Sequence, residues 1–425
     1  MFPRNAGYVT AALSLAVGVI GAVSLVRAEA GYESCFMFLW CDPHEEKLGF
    51  LDGNEQIQGL AHDENNWFIS AGEYMHCGGS IWGHMTWGIW KLPVSSALTG
   101  GTPIQRFLVS DRPDLQSYFH IGDIDCFNGF VLAPVENYGC APETSGTILF
   151  FDTADLHCVG KAVVQGFRNF GWLAVHPVSG EVYVSEDSIT HLVRCWVDWA
   201  TLLANRSQTN LEVACTVLGP VPLLQSDGTA FTDTFSCTQG GAFSESGGVF
   251  YFLVGCCEQV RPLDGIHVFD TTTWRELARS HRCHEDWPPC NSDCMDFRYY
   301  WQTETTAGYC TGSEPEGLDY WDLEDKPSPY GGQLHVGWLD NDGGRQDDVT
   351  LWHYTHTLRV DAANTGAQDG RPNRGFRLVG QAYDRICDGT SIKIRPNFYN
   401  ETLTLTKRVR LISDGPGVVT IGRGP

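Results

Sequence analysis

Six residues beside recurring glycines have side chains that could bind a ligand or a cation. Their carboxylate, amide and imidazole groups, together with one indole ring, come from widely separated parts of the chain. Carboxylate and amide oxygens suit Ca²⁺, which takes about six to eight oxygen ligands. The alternative is that these groups hydrogen-bond to one another and to water. The candidate metal ligands are Asp123 and Glu316, and the candidate ligand-binding residues are Gln58, His120, Trp172 and Gln239.

His120 also lies close in sequence to Asp123 and Asp125, a combination used in general acid–base catalysis. A histidine near carboxylates is common on protein surfaces, and we favour that interpretation here. The chain has no Gly-x-Ser-x-Gly elbow, phosphate-binding loop, dinucleotide fingerprint or His-Glu-x-x-His motif. The commonest hydrolase, kinase, dehydrogenase and zinc-protease classes are therefore not indicated.

A repeated β unit must bring these residues together. Its clearest copy, residues 239–254, has a small-residue strand, a Ser-Gly-Gly turn and an apolar strand. Related copies begin at glycines spaced irregularly along the chain, which are Gly59, Gly122, Gly171, Gly240 and Gly317. Repeated short strands with glycine-rich turns predict an all-β fold, a β-propeller of five or six blades. The first strand of each blade would line a central channel and carry the six residues to it.

Five blades are visible in the sequence, and a sixth could combine residues 31–56 with strands near residues 335–360. Short helices are expected only at Ser95–Leu98 and Trp199–Ala204. Residues 281–313 break the repeat and carry four cysteines, which predicts a cysteine-rich insertion within a propeller that spans residues 31–361.

The two ends of the chain differ from this repeat. Residues 1–30 contain Arg4, an apolar run and an A-x-A site, which predicts a signal peptide or a retained signal anchor. Residues 362–375 are polar and predict a linker. Residues 376–425 contain short alternating strands near 391–396, 403–411 and 418–422, which predict a truncated β-solenoid-like segment.

Composition limits the partners. The 425 residues are 43% hydrophobic and 19% charged, with a formal net charge of -23. This charge disfavours nucleic acid and anionic membrane surfaces, because both are polyanions. We expect a small molecule, a glycan or a protein as the ligand, and contact with a membrane only if the N-terminal segment is retained.

Sixteen cysteines follow the N-terminal segment. An even number of cysteines in an exported chain predicts disulfides, whose connectivity cannot be derived from sequence. We therefore expect a secreted, extracellular or periplasmic protein that is stabilised by disulfides.

The units around Gly59, Gly171, Gly240 and Gly317 resemble blades of six-bladed calcium-dependent propellers of the lactonase, paraoxonase and senescence-marker group, and of NHL-type repeats. Strands such as Val182-Tyr183-Val184-Ser185 carry this resemblance, which covers roughly residues 55–357. It implies a channel metal that polarises a carbonyl or phosphoryl oxygen. The segment from Asp388 to Glu401, with Val418–Gly422, resembles the first coils of a pectin-lyase-like right-handed β-helix.

These observations lead to three functional hypotheses. The first is a secreted β-propeller that binds a ligand at the central-channel face, without catalysis. The second is a calcium-dependent hydrolase of the lactonase or phosphotriesterase kind. The third is a cell-surface interaction module. Blades of this type serve many functions, so the fold alone does not choose among them.

Overall fold

A computed structural model describes most of the chain. The described residues are 37–41, 56–72, 87–98, 101–118, 120–136, 146–167, 171–186, 188–255, 262–283, 298–300, 305–306, 309–310, 313–340, 348–368, 370, 374–386 and 390–422. The predicted signal peptide or signal anchor, residues 1–30, and most of the predicted cysteine-rich insertion lie outside them. No described helix has the length and apolar character needed to cross a bilayer.

The protein is an all-β propeller with five blades. The first described strand, β1 (Met37–Cys41), precedes the first blade in sequence. That blade is an antiparallel sheet of four strands, which are β2 (Gln56–His62), β3 (Asn66–Gly72), β4 (Gly88–Pro93) and β5 (Gln105–Leu108). A single 3-10 turn, Val109–Asp111, follows it.

In the second blade the innermost strand is split into two short pieces. Both pieces pair with the same neighbour, and two further strands complete the sheet. The strands are β6 (His120–Ile121), β7 (Asp125–Phe127), β8 (Phe130–Glu136), β9 (Thr147–Asp152) and β10 (Cys158–Val163).

The third blade carries one short helix and two small additions. The helix begins after Asp198, whose side chain accepts the N–H of Thr201 as an N-cap. In chain order the elements are β11 (Leu173–Val175), β12 (Val182–Val184), β13 (Ser188–Ile189), β14 (His191–Val197), α1 (Trp199–Ala204), β15 (Leu211–Glu212), β16 (Cys215–Pro222) and β17 (Phe235–Ser236). The blade itself is β11-β12-β14-β16, while β15 joins β10 in parallel and β13 pairs with β17.

The fourth blade is the repeat that is clearest in the sequence. Its strands are β18 (Thr238–Phe243), β19 (Val249–Val254), β20 (Gly265–Asp270) and β21 (Glu276–Arg279). Four short strands follow in the region of the insertion, which are β22 (His281–Cys283), β23 (Arg298–Tyr300), β24 (Thr305–Thr306) and β25 (Tyr309–Cys310).

The fifth blade closes the ring with a strand from the other end of the chain. It contains β26 (Ser313–Tyr320), β27 (Leu334–Asp340) and β28 (Asp348–Thr355), and β1 is its outermost strand. The expected combination of residues 31–56 with strands near 335–360 is therefore present, but it builds this blade and not a sixth one. The expectation of a possible sixth blade was wrong for this reason.

Five apolar clusters lie between neighbouring blades, one at each junction. Side chains alternate along a strand, so both sheet faces must be apolar when a blade is packed on two sides. Leu60 faces the fifth blade while Ala61 faces the second. The same requirement explains why every residue of Val249–Val254 is buried. Burial of each large apolar side chain contributes about 1.5–3 kcal/mol.

Beyond the propeller, the chain forms a small unit with parallel strands. Its elements are β29 (Thr357–Val360), α2 (Val379–Arg385), β30 (Thr390–Ile394), β31 (Phe398–Asn400), β32 (Val409–Ser413) and β33 (Thr420–Gly422). β29, β30 and β32 pair in parallel, as do β31 and β33. Arg359 connects this unit to the propeller through Glu324 at 3.0 Å and to Asp414 at 3.1 Å.

Two local expectations had different outcomes. The helix predicted at Trp199–Ala204 is confirmed. The helix predicted at Ser95–Leu98 was wrong, because this segment is a turn between β4 and β5.

Candidate functional site

The innermost strands of three blades contain an extra residue at the level of the recurring glycines. The pairing register shifts between Ile57 and Gly59 in β2, and between Thr238 and Gly240 in β18. It also shifts between Pro315 and Leu318 in β26. Such β-bulges redirect a side chain and often lie beside functional sites. Gln58, Gln239 and Glu316 are the residues at these three bulges.

The second blade interrupts its inner strand at the same level. Between β6 and β7, the residues Gly122 to Ile124 leave the regular pairing with β8, and Asp123 lies in this break. The N–H of Asp123 donates to the carbonyl of Gly171 in the third blade at 2.9 Å. The break therefore turns Asp123 towards neighbouring blades.

The Asp123 side chain occupies the centre of the ring. Its Oδ1 accepts the N–H of Leu60 at 3.0 Å, and its Oδ2 accepts the N–H of Leu318 at 3.2 Å. The carboxyl group is fully buried, and this burial raises its pKa well above the ordinary value, although the two amide donors oppose the shift. One side chain thus joins the inner strands of the first, second and fifth blades.

Glycine is required around Asp123 because the backbones approach so closely. A Cβ atom on Gly240 would lie 2.5 Å from Asp123 Oδ2, and one on Gly317 would lie 2.8 Å from Asp123 Oδ1. The equivalent Cβ on Gly171 would have no neighbour within 4 Å. The recurring glycines therefore have unequal structural roles.

This arrangement does not fit calcium at Asp123. Both carboxylate oxygens face backbone N–H groups, whose positive ends repel a cation. No group of three or more His, Cys, Asp or Glu suited to a metal occurs among the residues that the structure describes. Glu316 is buried beside Gly317. The predicted calcium site at Asp123 and Glu316 stays a prediction without support from these donors.

On the side where the inner strands begin, Gln58, His120 and Glu136 form a connected polar group, which we call the first mouth. Gln58 Nε2 donates to the carbonyl of Ile57 at 3.1 Å, so its Oε1 is the atom that faces His120 Nε2 at 2.6 Å. His120 Nδ1 lies 3.0 Å from Glu136 Oε1. His120 therefore lies between the Gln58 amide and the Glu136 carboxylate.

Glu136 has a carboxylate oxygen free for another donor. Its side chain is 7% exposed, and Oε2 has no hydrogen-bond partner among the described residues. A buried acceptor without a donor costs about 1–3 kcal/mol. A hydroxyl or amine group of a ligand at the first mouth would remove this cost.

The predicted residues fall into separate groups. The β-bulges of the three inner strands contain Gln58, Gln239 and Glu316. His120 contacts Gln58. Trp172 lies elsewhere, because its ring is fully buried between the third and fourth blades and its Nε1 donates to Thr238 Oγ1 at 3.0 Å. It offers no exposed ring surface to a ligand. The carboxylate that His120 contacts is that of Glu136.

At the other end of the channel, His62, Asp125 and Asp319 form the opposite mouth, which the sequence analysis missed. His62 Nδ1 lies 2.8 Å from Asp319 Oδ2, and its ring stacks on Trp321 with a centroid distance of 4.5 Å. Burial, the largest effect, and the nearby Asp319 raise the pKa of Asp125 to about 7, although N–H groups of Val175 and Cys126 donate to it. Each of these residues lies two or three residues after a recurring glycine. This regular spacing could have identified them from the sequence.

The chain is similar to solved structures at low sequence identity. No family model and no curated protein matches the chain. A solved structure of a GH43_1 enzyme from Xanthomonas citri, complexed with xylotriose, has 9% identity and a TM-score of 0.42, and the match covers 76% of this chain and 92% of that one. A luciferin-regenerating enzyme has 10% identity and a TM-score of 0.36, with 71% and 92% coverage. Such likeness carries no functional argument.

Proposed function

We propose that this protein binds a small polar ligand, of the polyhydroxylated glycan type, at the first mouth. The observation that carries the proposal is the unsatisfied, buried Oε2 of Glu136 beside the Gln58–His120 pair. Carboxylate, amide and imidazole groups together offer both donors and acceptors, as the hydroxyl groups of a sugar require.

The bulges support the same assignment. Register shifts occur at Gln58, Gln239 and Glu316 in the inner strands of three blades, which favours a shared polar site formed by residues far apart in sequence. Ligand pockets commonly combine a rigid scaffold with a few convergent polar groups.

We further propose that the protein is exported, as the N-terminal pattern predicts, and that the parallel strands after residue 376 belong to a truncated β-helix-like segment. Parallel pairing of β30 with β32 and of β31 with β33 supports the second point.

The experiment is a screen of immobilised glycans, followed by calorimetric titration of each positive sugar. We expect His120→Ala and Glu136→Gln to weaken binding by at least tenfold, since each removes a polar group that would hydrogen-bond to the ligand. His191→Ala is the matched control, because His191 is exposed on the outer part of the third blade. Equal affinity for all variants, or no bound sugar at all, would contradict the proposal.

A further inference from the structure

Two cysteines of the third blade face each other across neighbouring strands. Cys195 lies in β14, and Cys215 is the first residue of β16. Both are free thiols in the structure. In the pairing register Cys195 is opposite Val217 and Cys215 is opposite Val197. The cysteines are therefore diagonal neighbours in adjacent strands, with side chains on one face of the sheet.

The two thiols influence each other's protonation. Their interaction lowers the pKa of Cys215 and, together with burial, raises that of Cys195. Cys195 is fully buried, whereas Cys215 is only partly buried. Cys215 is thus the sulfur that a reagent in solution can reach first.

We propose that Cys195 and Cys215 form a disulfide that joins β14 to β16, made by exchange with a low-molecular-weight disulfide such as oxidised glutathione. The bridge would close the segment that carries α1 and β15. It would fix the outer strand of the third blade to its neighbour.

The chemistry balances in two steps. The Cys215 thiolate attacks one sulfur of oxidised glutathione, a protein–glutathione bond forms, and the glutathione disulfide bond breaks to release a thiolate. The Cys195 thiolate then attacks the Cys215 sulfur and displaces the second glutathione thiolate. The two protein thiols together lose two electrons and two protons. These electrons and protons are recovered in two molecules of reduced glutathione.

The other two free thiols of the described residues provide a contrast. Cys126 lies in β7 and Cys158 in β10, and the strands β8 and β9 separate them within the sheet. Three strand spacings amount to roughly 14 Å. A disulfide needs Cα atoms within about 7 Å. Cys126 and Cys158 therefore cannot bridge in this fold.

The experiment incubates the whole folded protein with oxidised glutathione, blocks free thiols and maps peptides without reduction. Trypsin cuts after Arg194 and Arg206, and a protease specific for glutamate cuts after Glu212, so the two cysteines fall in separate peptides. We expect these peptides to be linked, with fragmentation placing the bridge at Cys215 rather than Cys237. We also expect Tm to rise by about 2–5 °C and to fall back with dithiothreitol.

Two variants make the test decisive. Cys195→Ala should stop the reaction at the mixed disulfide, seen as one added glutathione on Cys215, whereas Cys126→Ser should form the bridge normally. If Cys195→Ala does not fold, the peptide map of the wild-type protein decides alone. Free, alkylated Cys195 and Cys215 after oxidation, or a bridge from either one to another cysteine, would overturn the proposal.

Discussion

The imidazole of His62 and the carboxylate of Asp319 form an ion pair at 2.8 Å although the residues are 257 positions apart in the chain. His62 ends the inner strand of the first blade, and Asp319 lies near the end of the inner strand of the fifth. The pair therefore joins the first blade to the last. Two further contacts link the start of the chain or the first blade to the fifth blade. Strand β1 pairs with β28, and the Asp123 carboxylate accepts N–H groups from Leu60 and Leu318.

Removal of this ion pair should loosen the closure of the ring. In a double-mutant cycle with His62→Ala and Asp319→Ala, we expect a coupling free energy of about 1–2 kcal/mol, because Asp319 is almost fully buried. The exposed pair Lys161–Glu212 is the matched control and should couple by less than about 0.5 kcal/mol. Urea unfolding measures both cycles. Equal coupling in the two pairs would show that ring closure does not depend on the buried pair.

Substitution of the recurring glycines should have unequal effects. Gly240→Ala places a Cβ 2.5 Å from Asp123 Oδ2, an atom that is held by the N–H of Leu318 and cannot move freely. We expect a loss of about 3 kcal/mol in the free energy of unfolding. Gly171→Ala meets open space and should cost less than about 1 kcal/mol. Chemical denaturation of the two variants compares them directly, and similar losses would contradict the packing described around Asp123.

Asp125 should make stability depend on pH in the neutral range. Its pKa is raised in the folded protein, from an ordinary value of 3.8 to about 7. The folded state therefore retains a proton that the unfolded chain releases. Protonated Asp125 therefore makes its full contribution to the free energy of unfolding below about pH 4. This contribution, at most roughly 4 kcal/mol, is lost as pH rises through 7.

The measurement is urea unfolding at pH 5 and pH 8. Between these two conditions the wild-type protein should lose more stability than Asp125→Asn, because asparagine does not titrate. The exposed residue Asp233 supplies a control, since Asp233→Asn should leave the difference between pH 5 and pH 8 unchanged. If Asp125→Asn shows the wild-type difference, Asp125 is not the group responsible.

His335 should have the opposite effect in acid. It is fully buried, its Nε2 contacts the carbonyl of Trp321 at 2.9 Å, and its Nδ1 lies 2.7 Å from Nδ1 of His353. Burial lowers its pKa from 6.5 to about 4. The unfolded chain gains the proton first, so stability contributed by neutral His335 is present above pH 6.5 and is lost as pH falls to 4.

For this histidine, thermal unfolding at pH 7 and pH 4.5 compares the wild-type protein with His335→Gln. We expect the variant to be less stable at pH 7 and to lose less stability on acidification. The exposed His191→Gln serves as the control and should follow the wild-type protein at both values of pH. A wild-type response in His335→Gln would assign the acid sensitivity to other groups.

The sequence by itself determined the all-β class, the repeat and the five glycines, because these are local properties. Glycine-rich turns and apolar runs such as Val249–Val254 depend on neighbouring residues alone, so their pattern is visible without the fold. The prediction that Gln58, Gln239 and Glu316 occupy equivalent positions followed from the same repeat.

Only the tertiary structure decided how the ring closes and which side chains meet. The pairing of β1 with β28, the contact of Asp123 with Leu60 and Leu318, and the ion pair of His62 with Asp319 all join distant segments. No local pattern encodes them. His120 and Glu136 lie opposite each other in the paired strands β6 and β8, which is why Glu136 rather than Asp125 contacts His120.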